Sequence, residues 1–267
     1  MIKVEALINL LKKNKIDFFS GVPDSCTNEF CNELSNHTNI KNLIAANEGS
    51  AVSLGVGYHL ATSKIPCVYM QNSGLGNATD PLTNLMSKTI YNIPMIILIG
   101  WRGAPGIKDE AQHDIQGKIL LNSLKLFEIK SLVLNNNEDF GEAQKLINYS
   151  KKKSARVAFI IKPKVFSKVN HSHKKNKNLL KRENFIFELI KNINKETRII
   201  SSVGFNSREL FFLRKKENIV KGKDFLMVGA MGHTAMTALS MTQYIKSNII
   251  CLDGDGSFIM HMGALSI

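Results

Sequence analysis

Carboxylates and glycines alternate in Asp253-Gly254-Asp255-Gly256-Ser257, directly after the apolar run Ile249–Leu252. That pattern suits a metal-diphosphate loop: a carboxylate holds a hard cation, and glycines let backbone N–H groups approach phosphate oxygens. A further carboxylate, Glu48 in Ile44-Ala-Ala-Asn-Glu48-Gly49, falls at the end of a strand-like run, where open α/β sheets build their sites. It also reads as a helix-start carboxylate favoured by the helix dipole. Gln71-Asn72-Ser-Gly-Leu-Gly-Asn77 again follows an apolar run, and also reads as a Gly-rich turn with a capped helix start. The loop Trp101–His113 carries Arg102, Lys108 and His113 and is long enough to be functional. A lone histidine is more often structural, but imidazole titrates in the range useful for proton transfer. Gly21-Val-Pro-Asp24-Ser25 is a polar loop or a plain Pro-Asp turn. Val228-Gly229-Ala-Met231-Gly232-His233-Thr234 adds a Gly-rich strand-to-helix turn.

These loops need a scaffold, and the intervening segments supply its pattern. Strands are predicted at Ile16–Ser20, Ile40–Ala45, Pro66–Met70, Pro94–Ile99, Glu128–Val133 and Arg156–Ile161. Several are continuous apolar runs, as strands covered on both faces should be. Helical periodicity marks Val4, Leu7, Ile8 and Leu11, then Ser50–Ala61 and Glu138–Tyr149. This βα rhythm predicts an α/β fold with a parallel sheet flanked by helices over residues 1–166. A Lys/Asn/His-rich stretch, 167–181, breaks the rhythm and reads as a linker. A second domain, 182–267, restarts with helix Asn184–Ile193, strands Arg198–Val203, Phe225–Val228 and Ile249–Leu252, and helix Thr234–Tyr244. Parallel sheets buried on both faces rarely stop at about three strands, so this second domain is expected to be incomplete.

Composition narrows the class. The 267 residues are 44% hydrophobic and 21% charged, as in ordinary globular proteins. The formal charge of +13 concentrates near the linker, without aromatic interleaving or a recognition motif, so no nucleic-acid partner is expected. A mildly attractive field for anionic substrates is a secondary consequence. The four cysteines show no metal-binding spacing and predict buried free thiols in a reducing, cytoplasmic setting. The N-terminus alternates charged and apolar residues, unlike a signal peptide or membrane span.

Taken together, the motifs GVPDS, ANEGSAVSLGVGYHLAT, QNSGLGNATDPLTNL, YNIPMIILIGWRG, PGIKDEAQHDIQGK, VGAMGHT and CLDGDGSFIMHMGALS resemble the thiamine diphosphate-dependent decarboxylases. The wording is similar to the phosphonopyruvate decarboxylase group, with sulfopyruvate decarboxylase as its nearest relative. The resemblance implies two thiamine diphosphate-binding-type domains, pyrimidine-binding and then diphosphate-binding, that meet across a subunit interface of a homo-oligomer. It implies Mg2+ as well, and decarboxylation of 3-phosphonopyruvate, a small anionic 2-oxo acid, to phosphonoacetaldehyde in phosphonate biosynthesis. On this reading Glu48 contacts the pyrimidine ring nitrogen from a desolvated pocket. Asp24, Ser25 and His113 handle protons, while Arg102 and Lys108 counter the head-group charge. Asn72, Gly229, Met231 and Gly232 line the cofactor, with Gly254, Asp255, Gly256 and Ser257 at its diphosphate and Asp255 on the metal. The family's motif continues past this loop to an Asn that completes the metal site, and Ile267 comes first. The resemblance therefore leads us to expect a C-terminally truncated chain whose activity needs a complementing chain, with an inactive remnant or partner subunit as the alternative.

Overall fold

The computed structural model describes residues 1–169, 180–217, 219 and 223–267, so the expected linker falls largely outside the described residues. It separates into two units, Met1–Ser172 and His173–Ile267. The first contains, in order, α1 (Val4–Lys13), β1 (Phe18–Gly21), α2 (Asn28–Asn36), β2 (Lys41–Ile44), α3 (Glu48–Thr62) and β3 (Cys67–Gln71). It continues with α4 (Leu75–Thr83), β4 (Met95–Gly100), α5 (Asp114–Leu126), β5 (Lys130–Leu134), α6 (Phe140–Lys153) and β6 (Arg156–Ile161). The strands form one six-stranded sheet, β2-β1-β3-β4-β6-β5, with every pairing parallel.

Two strands begin two residues later than their apolar runs suggest, for one physical reason. Lys15 and Glu128 adopt left-handed backbone (φ 64° and 56°), and the next N–H groups, of Ile16 and Ile129, bond back to Leu11 and Leu124 carbonyls. Both helices thus close with a Schellman-type turn that consumes the first apolar residue of the expected strand.

Alternation along the central strands splits the core into two layers. Tyr69, Ile96 and Leu98 pack with Leu7 and Ile8 of α1, Phe30 of α2 and Ile147 of α6. Their neighbours Met70, Ile97 and Ile99 pack instead with Val52 of α3, Leu82 of α4 and Leu120 of α5. Helices therefore cover both faces, which is why β4 is buried at every residue. Topology then places the functional end. The chain leaves β1 toward β2 but leaves β3 toward β4, so neighbouring connections diverge and a crevice opens beyond the C-terminal ends of β1 and β3.

The second unit contains α7 (Arg182–Asn192), β7 (Arg198–Ser201), α8 (Phe205–Lys216), β8 (Phe225–Leu226), α9 (Thr234–Thr242), β9 (Ile249–Leu252) and α10 (Asp255–Met260). Its described strands form a parallel sheet, β8-β7-β9, over a core of Ile186, Ile190, Ile199, Leu210 and Leu213. Strand β8 is shorter than its apolar run, because after Met227 bonds Ser201 the chain turns through left-handed Ala230 (φ 56°) and Gly232 (φ 91°). The expected burial of all thiols is corrected here: Cys251 is exposed, on a strand paired through β7 alone among the described residues. No helix among the described residues is long and apolar enough to cross a membrane.

Candidate active site

Glu48 opens α3, whose N-cap is Asn47: its side chain accepts the Ser50 N–H at 2.9 Å. A carboxylate in a first helical turn ordinarily faces water, but Glu48 is 5% exposed. Asn77 of α4 donates to Glu48 Oε2 at 2.8 Å, and Gly74 closes over the other side. Gly49 permits this approach, since a Cβ there would lie 2.8 Å from the Asn77 carbonyl. Asn77 on one side and Gly74 on the other hold the carboxylate in one orientation.

A second cluster joins the loops after β1, β3 and β4. Asp24 Oδ1 accepts the N–H groups of Cys26 and Thr27, the latter at 2.9 Å. Asp24 Oδ2 is buried without a partner, against Gly100. Burial pushes the Asp24 pKa up, and the two N–H donors and the Arg102 charge only partly oppose it. Arg102 sits across the cluster. Its Nη1 donates to Ser25 Oγ at 2.8 Å, and its Nε and Nη2 donate to Asp109 at 2.8 and 2.5 Å. Asn72 fixes the Arg102 main chain: the Arg102 N–H donates to Asn72 Oδ1 at 3.1 Å, and Asn72 Nδ2 donates to the Arg102 carbonyl at 2.9 Å.

Loop Trp101–His113 folds back because Trp101 Nε1 donates to the Gly117 carbonyl at 2.9 Å and Gly103 packs against His113. Burial, then the Arg102 charge, hold the His113 pKa below its ordinary value, opposed by Asp109 and Glu110. Both leading causes disfavour imidazolium, so His113 is neutral at pH 7. An NMR titration of the His113 ring is expected to show a midpoint below 6.5. A midpoint above 6.5 would mean that Asp109 and Glu110 outweigh Arg102 at the ring.

In the second unit, the Met231 turn packs on the Gly-Asp-Gly loop. The Gly232 N–H donates to buried Ser257 Oγ at 3.0 Å, and a Cβ on Gly256 would lie 2.9 Å from Met231 Cε. The Gly254 N–H donates to Ser202 Oγ at 3.0 Å, and Asn206 donates to the same hydroxyl at 3.1 Å. Asp255 is exposed and accepts the Gly256 N–H at 2.8 Å. Gly229 is half-buried in the same turn.

The first unit thus gathers Ser25, Asn72 and Arg102 into one hydrogen-bonded cluster, with Asp24 and His113 within electrostatic range of Arg102. Lys108 is exposed, and the structure does not pair it with Arg102 as a second counter-charge. Asn72 spends its amide on Arg102. Sequence reasoning missed Asn77, Asp109, Ser202 and Asn206. Ser202 was accessible to it in principle, as it directly follows strand β7.

Residues 2–124 match the family described as "Thiamine pyrophosphate enzyme, N-terminal TPP binding domain"; thiamine pyrophosphate is thiamine diphosphate under another name. The chain is 28% identical to phosphonopyruvate decarboxylase of Streptomyces viridochromogenes, across 92% of this chain and 65% of that protein. It therefore spans about 65% of the length of that relative. It is 30% identical to sulfopyruvate decarboxylase subunit alpha of Methanocaldococcus jannaschii, across 58% of this chain and 87% of that subunit. Among solved structures, a presumed thiamin diphosphate-dependent enzyme from Mycobacterium smegmatis superposes with a TM-score of 0.51 at 16% identity. That match covers 76% of this chain and 39% of the other, and shows a shared fold.

Proposed function

The chain belongs to the thiamine diphosphate-dependent enzyme family that includes these decarboxylases, and from that premise we propose that it decarboxylates 3-phosphonopyruvate to phosphonoacetaldehyde. The observation that carries the reading is Glu48: a carboxylate at a strand end, buried at a helix start and held between Asn77 and Gly74. Such a group fits a polar nitrogen heterocycle that must share a proton in a dry pocket.

The residues present fit the cofactor. Glu48 of the first unit would hold its pyrimidine ring nitrogen, and in the second unit Met231 and Gly232 would form a turn able to line the cofactor. Gly254, Gly256 and Asp255 would hold its diphosphate through Mg2+, which takes one or two carboxylates and completes its shell with phosphate oxygens and water. When bound, thiamine diphosphate supplies the sink for the electron pair released with carbon dioxide.

The chain's own residues do the rest. Burial raises the Asp24 pKa, which makes this carboxyl a candidate proton donor beside Arg102. Neutral His113, beside Gly103 and within range of Arg102, accepts or relays a proton. Arg102 and Ser25 take the substrate's anionic head. We place this activity in a cytoplasmic homo-oligomer whose pyrimidine-binding and diphosphate-binding domains are the first and second units.

Calorimetric binding of thiamine diphosphate with and without Mg2+, followed by turnover of phosphonopyruvate and sulfopyruvate, tests the reading. Turnover of neither acid, by this chain alone or with a complementing chain supplied, would refute it, and a tenfold or greater preference for sulfopyruvate would reassign the head group. Asp255→Asn is expected to weaken Mg2+-dependent cofactor binding beyond the roughly 10–100-fold cost of losing a merely supporting partner. Unchanged Mg2+ dependence would remove Asp255 from the metal site.

A further inference from the structure

Asp109 carries none of the roles assigned above, yet it organises the loop that holds Arg102. Its two oxygens accept from Arg102 Nε and Nη2, from the Gly103 N–H and from the Glu110 N–H, the two main-chain bonds each at 2.8 Å. Both Arg102 and Asp109 are largely buried, their side chains 19% and 11% exposed. Asn72 fixes the Arg102 main chain on the same loop. The guanidinium is therefore locked before any ligand arrives, and the cost of ordering a long side chain falls on folding rather than on binding.

Guanidinium has five N–H groups in a planar fork. Asp109 takes one from Nε and one from Nη2, and Ser25 Oγ takes one from Nη1. One N–H remains on each terminal nitrogen, and Ser25, as an acceptor, keeps its own proton to donate. Three donors on Arg102 and Ser25 are thus left over, a set suited to a tetrahedral oxyanion. We propose that Asp109 is a positioning residue that turns Arg102 and Ser25 into an anchor for the phosphonate or sulfonate head of the substrate. This rests on the decarboxylase reading above.

Asp109 also sets the charge balance. His113 faces Arg102, Asp109 and Glu110, and Asp24 faces Arg102 and the neutral Cys26 thiol, whose pKa burial raises to about 12. Removing the Asp109 charge leaves Arg102 uncompensated, which disfavours imidazolium and moves the His113 titration to lower pH.

The test is calorimetric titration of phosphonoacetate and sulfoacetate into the full chain, its Asp109→Asn and Arg102→Lys variants, and the double variant. Each single variant is expected to bind the preferred anion roughly tenfold more weakly, and the double variant no more weakly than the worse single one. The ratio between the two anions identifies the head group. In Asp109→Asn the His113 midpoint should fall below that of the unmodified chain. Tighter binding by Asp109→Asn would make Asp109 a plain counter-charge and overturn the proposal. So would additive losses, an unmoved His113 midpoint, or no binding of either anion to the unmodified chain. Should Asp109→Asn fail to fold, Asp109→Glu, which keeps the charge but lengthens the clamp, takes its place with the same expected loss of binding. None of these arms needs cofactor or turnover, so failure of the anchor and failure of the decarboxylase reading are separable.

Discussion

Glu48→Gln is expected to lower thiamine diphosphate-dependent turnover by about 10³-fold while leaving the fold intact, as loss of a positioned proton-transfer group does. The substitution keeps the shape of the side chain, so the packing against Gly74 survives and Asn77 can still donate to the amide oxygen. What disappears is a group that can both carry negative charge and accept a proton. Glu48→Asp separates chemistry from reach: the acid remains, but one methylene shorter, on a helix whose start is fixed by Asn47. It should lose most of the same activity. Steady-state turnover and thermal midpoints measured together decide the matter. A loss of less than tenfold for Glu48→Gln at unchanged stability would remove Glu48 from the reaction and with it the observation on which the proposed function stands.

The positions of the site loops were legible in the sequence because strands carry a one-dimensional signal. Apolar runs ending in Gly-Val-Pro-Asp24, Gln71-Asn72 or Gly100-Trp101 announce loops at one end of a parallel sheet before any coordinate is known. The pairings among those loops were not legible. Asn72 meets Arg102 across thirty residues of chain, and Ser25 meets Arg102 across 77. Nothing local in either segment distinguishes those partners from other polar residues nearby. Lys108 and Asp109 show the consequence. Adjacent in sequence and both charged, one is exposed while the other closes the loop, because Asp109 accepts from the Arg102 fork and from the Gly103 and Glu110 N–H groups. Strand starts failed for a different reason. Schellman-type turns draw an apolar residue into the helix end, and periodicity alone cannot assign a residue that serves both elements.

Gly74→Ala is expected to cost about 10²-fold in the same turnover, the scale of misplacing a catalytic group by about an ångström. The argument runs through space rather than backbone freedom. Gly74 has φ −67° and ψ −15°, which alanine adopts without strain, and the exchange lowers the entropy of the unfolded chain. A Cβ there would, however, lie 2.5 Å from both Cγ and Oε1 of Glu48. Glu48 must then leave its present position and with it the geometry of its bond to Asn77, and it is the start of α3, anchored by Asn47, that resists. Gly76, two residues on, is the internal control, with nothing within 4 Å of where its Cβ would stand. Inside α4, Gly76→Ala should stabilise the protein by up to about 1 kcal/mol and leave turnover alone. The double variant Gly74→Ala with Glu48→Gln should be no slower than Glu48→Gln by itself, since both act through one carboxylate. Equal effects at the two glycines would mean that Gly-Leu-Gly is only a turn. Unequal ones separate its members by what each leaves room for: the first for a buried carboxylate, the second for nothing at all.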